Sequence, residues 1–183
     1  MGSEVKGVWF VTAKSYMLDH GGAKALERVA EQLDPAFREA ILDPLTSAWY
    51  PERALAQALA GMREVLGAID DEVFCEVMRE CSELGVNRFF RVLLRLSSAS
   101  FVLRQTPTMW RQIRRGQGRV EVEPVQGGTL IHYRDFPWFE DVNYRLLAKG
   151  SLGAIVAIAA GKLPRVDIVD FGSDWLDARV EHK

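Results

Sequence analysis

The sequence predicts an α+β fold: a helical N-terminal half, then a four-stranded antiparallel sheet built as hairpin, helix, hairpin and packed on the helices. Two observations predict it. Apolar residues recur at helical spacing up to about residue 115, whereas beyond Gly116-Gln117-Gly118 they alternate with polar ones, the period of a half-buried strand. Helices and strands are thus segregated along the chain, which favours an antiparallel sheet covered by helices over a βαβ array. The 183 residues, 48% hydrophobic and 26% charged, suit a single domain over 1–183.

Val8 to Val11 is β-branched and aromatic and reads as a short strand, separated by Gly21-Gly22 from a helix over Ala23 to Leu33. Asp34-Pro35 then opens a short helix, Asp34 as N-cap and Pro35 at the first helical position, where a missing N–H costs nothing. Trp49-Tyr50-Pro51 resets the chain, and an alanine- and leucine-rich helix runs from Pro51 to about Leu66, with Gly67 as its stop. Asp70-Asp71-Glu72 places three acids at the positive end of the next helix dipole. That helix is expected over 70–97, with Val73, Val77, Met78, Cys81, Leu84 and Gly85 on one face, followed by helices over 98–105 and from Thr106-Pro107 through Trp110 to Arg115. Arg119 to Glu123 and Thr129 to Arg134 form the first hairpin. A small-residue helix over 139–161 ends at Gly161, and Val166 to Asp170 with Trp175 to Val180 form the second hairpin. Because the chain leaves the sheet before this helix and returns after it, the helix must lie against the sheet.

Composition excludes several classes of function. Cys75 and Cys81 lie six residues apart on one helix and face different directions, and neither has a second Cys or a His at ligand spacing. They read as buried thiols in a reducing cytoplasm. Met1 to Lys6 has no secretory signal pattern, and the longest apolar run, Leu152 to Ala160, is far short of the ~20 residues that cross a bilayer. No Gly-x-Ser-x-Gly turn, HExxH helix, P-loop or dinucleotide fingerprint occurs.

The charge pattern is uneven. Arg88, Arg91, Arg95, Arg104, Arg111, Arg114, Arg115 and Arg119 fall in a stretch between Glu83 and Glu121 that holds no lysine or acid. With the chain at a formal net charge of −2, the remainder must sum to −10. Arg88, Arg91 and Arg95 make one helical stripe, and Arg104, Arg111 and Arg115 repeat its spacing across a break at Pro107. A pI near 6.0 argues against nucleic acid. The leading account is pairing with acids such as Glu121, Glu123, Glu140, Asp141, Asp167 and Asp170, within the chain or across a subunit contact; the other is an acidic protein partner.

Gly7 with Phe10, Trp49-Tyr50-Pro51, Trp110, Gly150 with Gly153, Gly172 and Trp175, carried on this order of elements, span nearly the whole chain. In these the sequence resembles the superfamily of haem-nitric-oxide-binding domains, vinyl-reductase-like domains and TRAPP vesicle-tethering subunits, and most of all a paralogous family common in myxobacteria. The resemblance implies a non-enzymatic module that holds a small molecule in an apolar pocket, dimerises, or both. Haem-binding members supply a helix histidine before the first hairpin and a Tyr-x-Ser-x-Arg strand. Here residues 21 to 131 hold no histidine and the strand reads Tyr133-Arg134-Asp135-Phe136-Pro137, so no haem is expected. Vinyl-reductase-like members carry paired cysteines near the last strands, and Leu163 to Lys183 has none.

Phe89, Phe90, Phe101, Trp110, Phe136, Trp138 and Phe139 either fill the core or line a pocket. Taken with the resemblance, the expected pocket walls are Phe89, Phe90 and Leu93 from the central helix, Leu147 and Ala154 from the small-residue helix, and Trp110 with Trp138. The runner-up function is a protein-interaction module using Arg88, Arg91, Arg95, Arg111 and Arg115 to recruit an acidic partner. A weaker third reading is an enzyme using His132, which alternatively is a polar residue on a half-exposed sheet face. No metal site is expected.

Overall fold

The computed structural model describes residues 2–89, 94 and 97–182, with the backbone alone over 87–89. Among these residues the architecture is α+β with two antiparallel sheets. The smaller sheet joins three distant parts of the chain. β1 (Glu4–Lys6) lies between β2 (Trp49–Pro51) and β3 (Arg114–Arg115), pairing Val5 with Tyr50 on one side and with Arg114 on the other.

Val8 to Val11 does not form a strand. It opens α1 (Val8–Gln32), in which Phe10, Ala13 and Met17 are buried at helical spacing. Four strand-favouring residues are outweighed by the helical period that continues beyond them. Gly21-Gly22 does not separate two elements either. Gly22, at φ 75° and ψ 179°, kinks one helix, after which Leu26, Val29 and Ala30 re-enter the core. His20 lies inside α1 and stacks on Tyr16.

A 3₁₀ turn at Pro35–Phe37 leads into α2 (Arg38–Leu42). Asp34 does not cap it by its side chain; its carboxylate pairs with Arg53 at 3.2 Å. α3 (Glu52–Val65) follows directly on β2, and Gly67 past its end takes φ 64°. In α4 (Asp71–Phe89), Asp71 and Glu72 lie on the first turn as expected, while Asp70 stands one residue before it as a cap, its Oδ1 accepting from the Glu72 and Val73 backbone N–H groups. The buried stripe of α4 runs through Phe74, Val77, Met78 and Cys81. Val73 and Leu84, expected on that stripe, lie at its edge and are exposed. Ser98 caps α5 (Ala99–Arg104) by accepting from the Phe101 N–H. α6 (Thr106–Ile113) ends two residues before the expected Arg115, because Arg114 and Arg115 pair with β1.

The larger sheet has the order β4-β5-β7-β6, from β4 (Arg119–Val125), β5 (Gly128–Arg134), β6 (Arg165–Phe171) and β7 (Leu176–Glu181). Both hairpins are antiparallel, and β5 joins them through β7. Val120, Ile131, Tyr133, Ala178 and Val180 point into the core. The other face alternates charges, with Glu121 opposite His132 and His132 opposite Asp177. Between the hairpins, α7 (Val142–Ala160) is capped by Asp141 at its start and by Gly161, at φ 70°, at its end. It packs on both the sheet and α4. Gly150 makes the α4 approach possible, since a Cβ there would lie 2.8 Å from Arg79 N and Cys75 O.

Candidate functional site

α1, α4, α6, α7 and the first hairpin leave a cavity of about 270 Å³ that is partly open to the surface. Trp9 and Thr12 of α1, Cys81 and Ser82 of α4, and Met109 and Trp110 of α6 form one side. Tyr133 of β5, Phe136 and Phe139 of the following loop, and Tyr144, Leu147 and Ser151 of α7 form the other. Trp110 meets Phe136 edge-on at 5.0 Å, and Phe136 in turn meets Phe139 at 5.2 Å and Tyr144 at 5.8 Å. Such edge-to-face contacts hold rings more firmly than aliphatic packing, so the wall is stiff. Trp110 Nε1 also donates to the Gly118 carbonyl at 3.2 Å, fixing its ring.

Beside this wall lies a buried polar cluster. Glu52, fully buried at the first residue of α3, receives Arg114 Nε at 2.9 Å on Oε1. The Tyr144 hydroxyl donates to its Oε2 at 2.6 Å. The Arg114 guanidinium lies over Trp110 at 4.5 Å, with Phe136 at 5.4 Å and Trp9 at 5.8 Å. A buried ion pair persists only when its remaining lone pairs and protons are met, and here the phenol and the rings do that for Glu52 and for one face of Arg114. Burial, reinforced by the Glu52 charge, pushes the Tyr144 phenol well up. Burial likewise raises Tyr133, and it lifts the Cys81 thiol to about 12 and Cys75 to about 11. All four remain protonated and un-nucleophilic at neutral pH.

Of the expected pocket residues, Trp110 and Leu147 line the cavity. Ala154 is buried in α7 but away from the lining, and Trp138 stacks on Tyr144 at 5.6 Å, behind the wall. The α7 residues that line the cavity, Tyr144, Leu147, Ala148, Ser151, Leu152 and Ile155, form one helical stripe, and Ala154 falls outside it. The side chains of Arg88 and Phe89, and Phe90, Arg91, Leu93 and Arg95 altogether, lie outside the described residues. The sequence reading missed Glu52, Arg114 and Tyr144. Arg114 and Arg115 are indistinguishable in the sequence, yet strand alternation buries Arg114 and leaves Arg115 out on Glu4 at 2.6 Å.

The arginines pair differently from the expected seam. Arg119 reaches Glu121 at 3.1 Å, as expected, and also Asp135; Arg114 and Arg115 instead find Glu52 and Glu4, acids near the N-terminus. The partners changed because β3 joins the small sheet rather than extending α6. Arg111 and Arg115, expected on one stripe, are therefore not on one helix. Exposed Arg104 and Arg111 have no carboxylate partner among the described residues.

His132 lies on the outer sheet face. Its Nδ1 is 2.8 Å from Asp177 Oδ1 and its Nε2 is 3.3 Å from Glu123 Oε2, while Arg134 donates to Asp177 at 2.6 Å. Burial pushes the Asp177 carboxyl up, but hydrogen bonds from Arg134 and His132 outweigh it and hold it below its ordinary value. The contacts of His132 are thus hydrogen bonds to carboxylates on neighbouring strands.

Haem does not fit these residues. None of the three histidines lines the cavity: His20 stacks on Tyr16, His132 faces outward, and His182 contacts Thr129 at 2.8 Å. The thiol and phenols that do line it are held protonated by burial. Among the described residues no group of three or more His, Cys, Asp or Glu could hold a metal ion, and no helix is long and apolar enough to cross a membrane.

No family model matches the chain, and no curated protein matches it either. Solved structures do. An H-NOX protein from S. oneidensis in the Fe(II)NO state superposes with a TM-score of 0.72 at 12% identity, over 96% of this chain and 98% of that one. The Fe(II) unliganded H-NOX protein from K. algicida gives 0.69 at 9% identity, over 96% and 95%. An oxygen-binding H-NOX domain related to soluble guanylate cyclases gives 0.64 at 15% identity, over 96% and 94%. At these identities the likeness is one of fold: the chain has an H-NOX-like fold.

Proposed function

We propose that the chain, acting as one unit over residues 1–183, is a non-enzymatic regulatory or scaffolding module that binds a small apolar molecule in the cavity and forms a homodimer in a reducing cytoplasm. The observation that carries this reading is the cavity itself: an aromatic-walled space of about 270 Å³, in an H-NOX-like fold whose residues do not suit haem. Ligand sites are concave and mostly apolar with a few polar groups, and this aromatic-walled space with Arg114 in its lining has that character. Trp110 and Leu147 are its contacts from the helices, and Phe89, Phe90 and Leu93 complete the proposed site together with Trp138 and Ala154 around it. Membership of the myxobacterial paralogous family belongs to the same proposal. Native mass spectrometry of protein purified from cells tests it, with a bound small molecule and a dimer mass expected. A bare monomer that also fails to bind any added apolar probe would overturn it.

A second reading is favoured by one observation, the exposed Arg104 and Arg111 without carboxylate partners among the described residues. In it the arginine face, including Arg88, Arg91, Arg95 and Arg115, recruits an acidic protein.

A further inference from the structure

Arg114 supplies a donor that the fold leaves unused. Its side chain is 5% exposed and lines the cavity. Nε is committed to Glu52, and the two terminal nitrogens donate to no protein acceptor among the described residues. Nor are those nitrogens among the sealed, partnerless atoms, so they open on the cavity space. Trp9 Nε1, in the same wall, is buried and also without an acceptor. Trp9 Nε1 is sealed within the wall, so the donor left for a cavity ligand is Arg114, and buried donors are seldom left unmet.

We propose that the cavity ligand carries an uncharged carbonyl oxygen on a flat apolar body, and that Arg114 anchors that oxygen through its terminal nitrogens. The proposal rests on the cavity reading above. Charge decides between a carbonyl and a carboxylate. Glu52 already neutralises Arg114, and no Asp or Glu lines the cavity. The other cation of the lining, Lys6, holds its ammonium over the Trp49 ring at 4.7 Å, so a ligand carboxylate at Arg114 would bring a net negative charge beside a pair that is already neutral, whereas a ketone, ester or amide oxygen takes the free donors at little desolvation cost. Size limits the body. A cavity of about 150 Å³ holds benzene, so one of about 270 Å³ admits a two-ring molecule. The rings of Trp110 and Phe136 beside Arg114 offer flat surfaces for it.

Three probes of one shape test this by calorimetry on the intact chain: 2-acetylnaphthalene, 2-ethylnaphthalene and 2-naphthoate. The ketone is expected to bind about tenfold tighter than the hydrocarbon, the worth of one hydrogen bond from a charged donor, and tighter than the carboxylate. In the Glu52→Gln/Arg114→Met double variant, which removes both charges together, the ketone should lose its advantage over the hydrocarbon. Equal binding of ketone and hydrocarbon to the native chain overturns the Arg114 anchor and leaves the cavity reading intact. Tightest binding by naphthoate overturns the uncharged head group. If none of the three binds, the cavity reading fails with it. The native-chain series decides the matter even if the double variant does not fold.

Discussion

Glu52 and Arg114 are the residues on which the site depends, because together they bring a full ion pair into the core. Removing one partner leaves the other charge buried and unmatched, which costs far more than removing both. Arg114→Met should therefore lower stability by about 3–5 kcal/mol in urea denaturation. Glu52→Gln/Arg114→Met should recover most of that loss, since the Tyr144 hydroxyl can still donate to a glutamine amide oxygen. Equal costs for the single and double variants would show that the pair is not energetically coupled. Nothing in the sequence separates Arg114 from its seven neighbours in the block. Which arginine turns inward follows from a two-residue strand, and that strand exists only because β1 is there to pair with it.

At the scale of elements, α7 shows how small residues differ in use. Gly150 touches the backbone of α4, where an added methyl would lie 2.8 Å from Arg79 N and Cys75 O. Gly153, three residues on, faces only ordinary contacts, with Leu163 and Arg79 side-chain atoms at 3.9 and 4.0 Å. Gly150→Ala should thus destabilise the protein by about 1–3 kcal/mol through overpacking. Gly153→Ala should stabilise it by about 0.5–1 kcal/mol, since alanine loses less backbone freedom in a helix. Thermal unfolding of the two variants reads both signs, and a shift of the same sign in each would refute the assignment of the helix contact to Gly150. The sequence places this helix against the sheet, but that its closest approach is made to α4, and by Gly150 rather than Gly153, was not legible, because the helix rotation about its axis is set by α4. The same limit explains α1, where a strand-like run at Val8 to Val11 joined a helix whose partners lie far along the chain.

At the scale of the whole molecule, the arginine block is divided by the fold into paired and unpaired members. Arg79, just before it, is held by Glu76 and Glu83, and Arg114, Arg115 and Arg119 each have acids. Arg104 and Arg111 remain as exposed cations without carboxylates among the described residues. If the arginine face recruits an acidic protein, Arg104→Glu/Arg111→Glu should weaken its capture about tenfold or more, with strong dependence on salt, while thermal stability stays within about 0.5 kcal/mol of the parent. Unchanged capture of an acidic partner would exclude these two arginines from the interface. If the proposed dimer forms in the parent and is lost in the same variant, the face belongs to self-association instead.

By itself the sequence determined the α+β class, the hairpin-helix-hairpin order, the helix start at Asp70-Asp71-Glu72 and the cap at Gly161, because periods, caps and charge runs are local properties of the chain. Only the tertiary structure decided which residues meet. The cavity needs α1, α4, α6, α7 and β5 at once, and the Glu52, Arg114 and Tyr144 cluster joins residues 62 and 92 positions apart. Contacts at that separation leave no period in the sequence; they are fixed by how helices settle against a sheet and against each other.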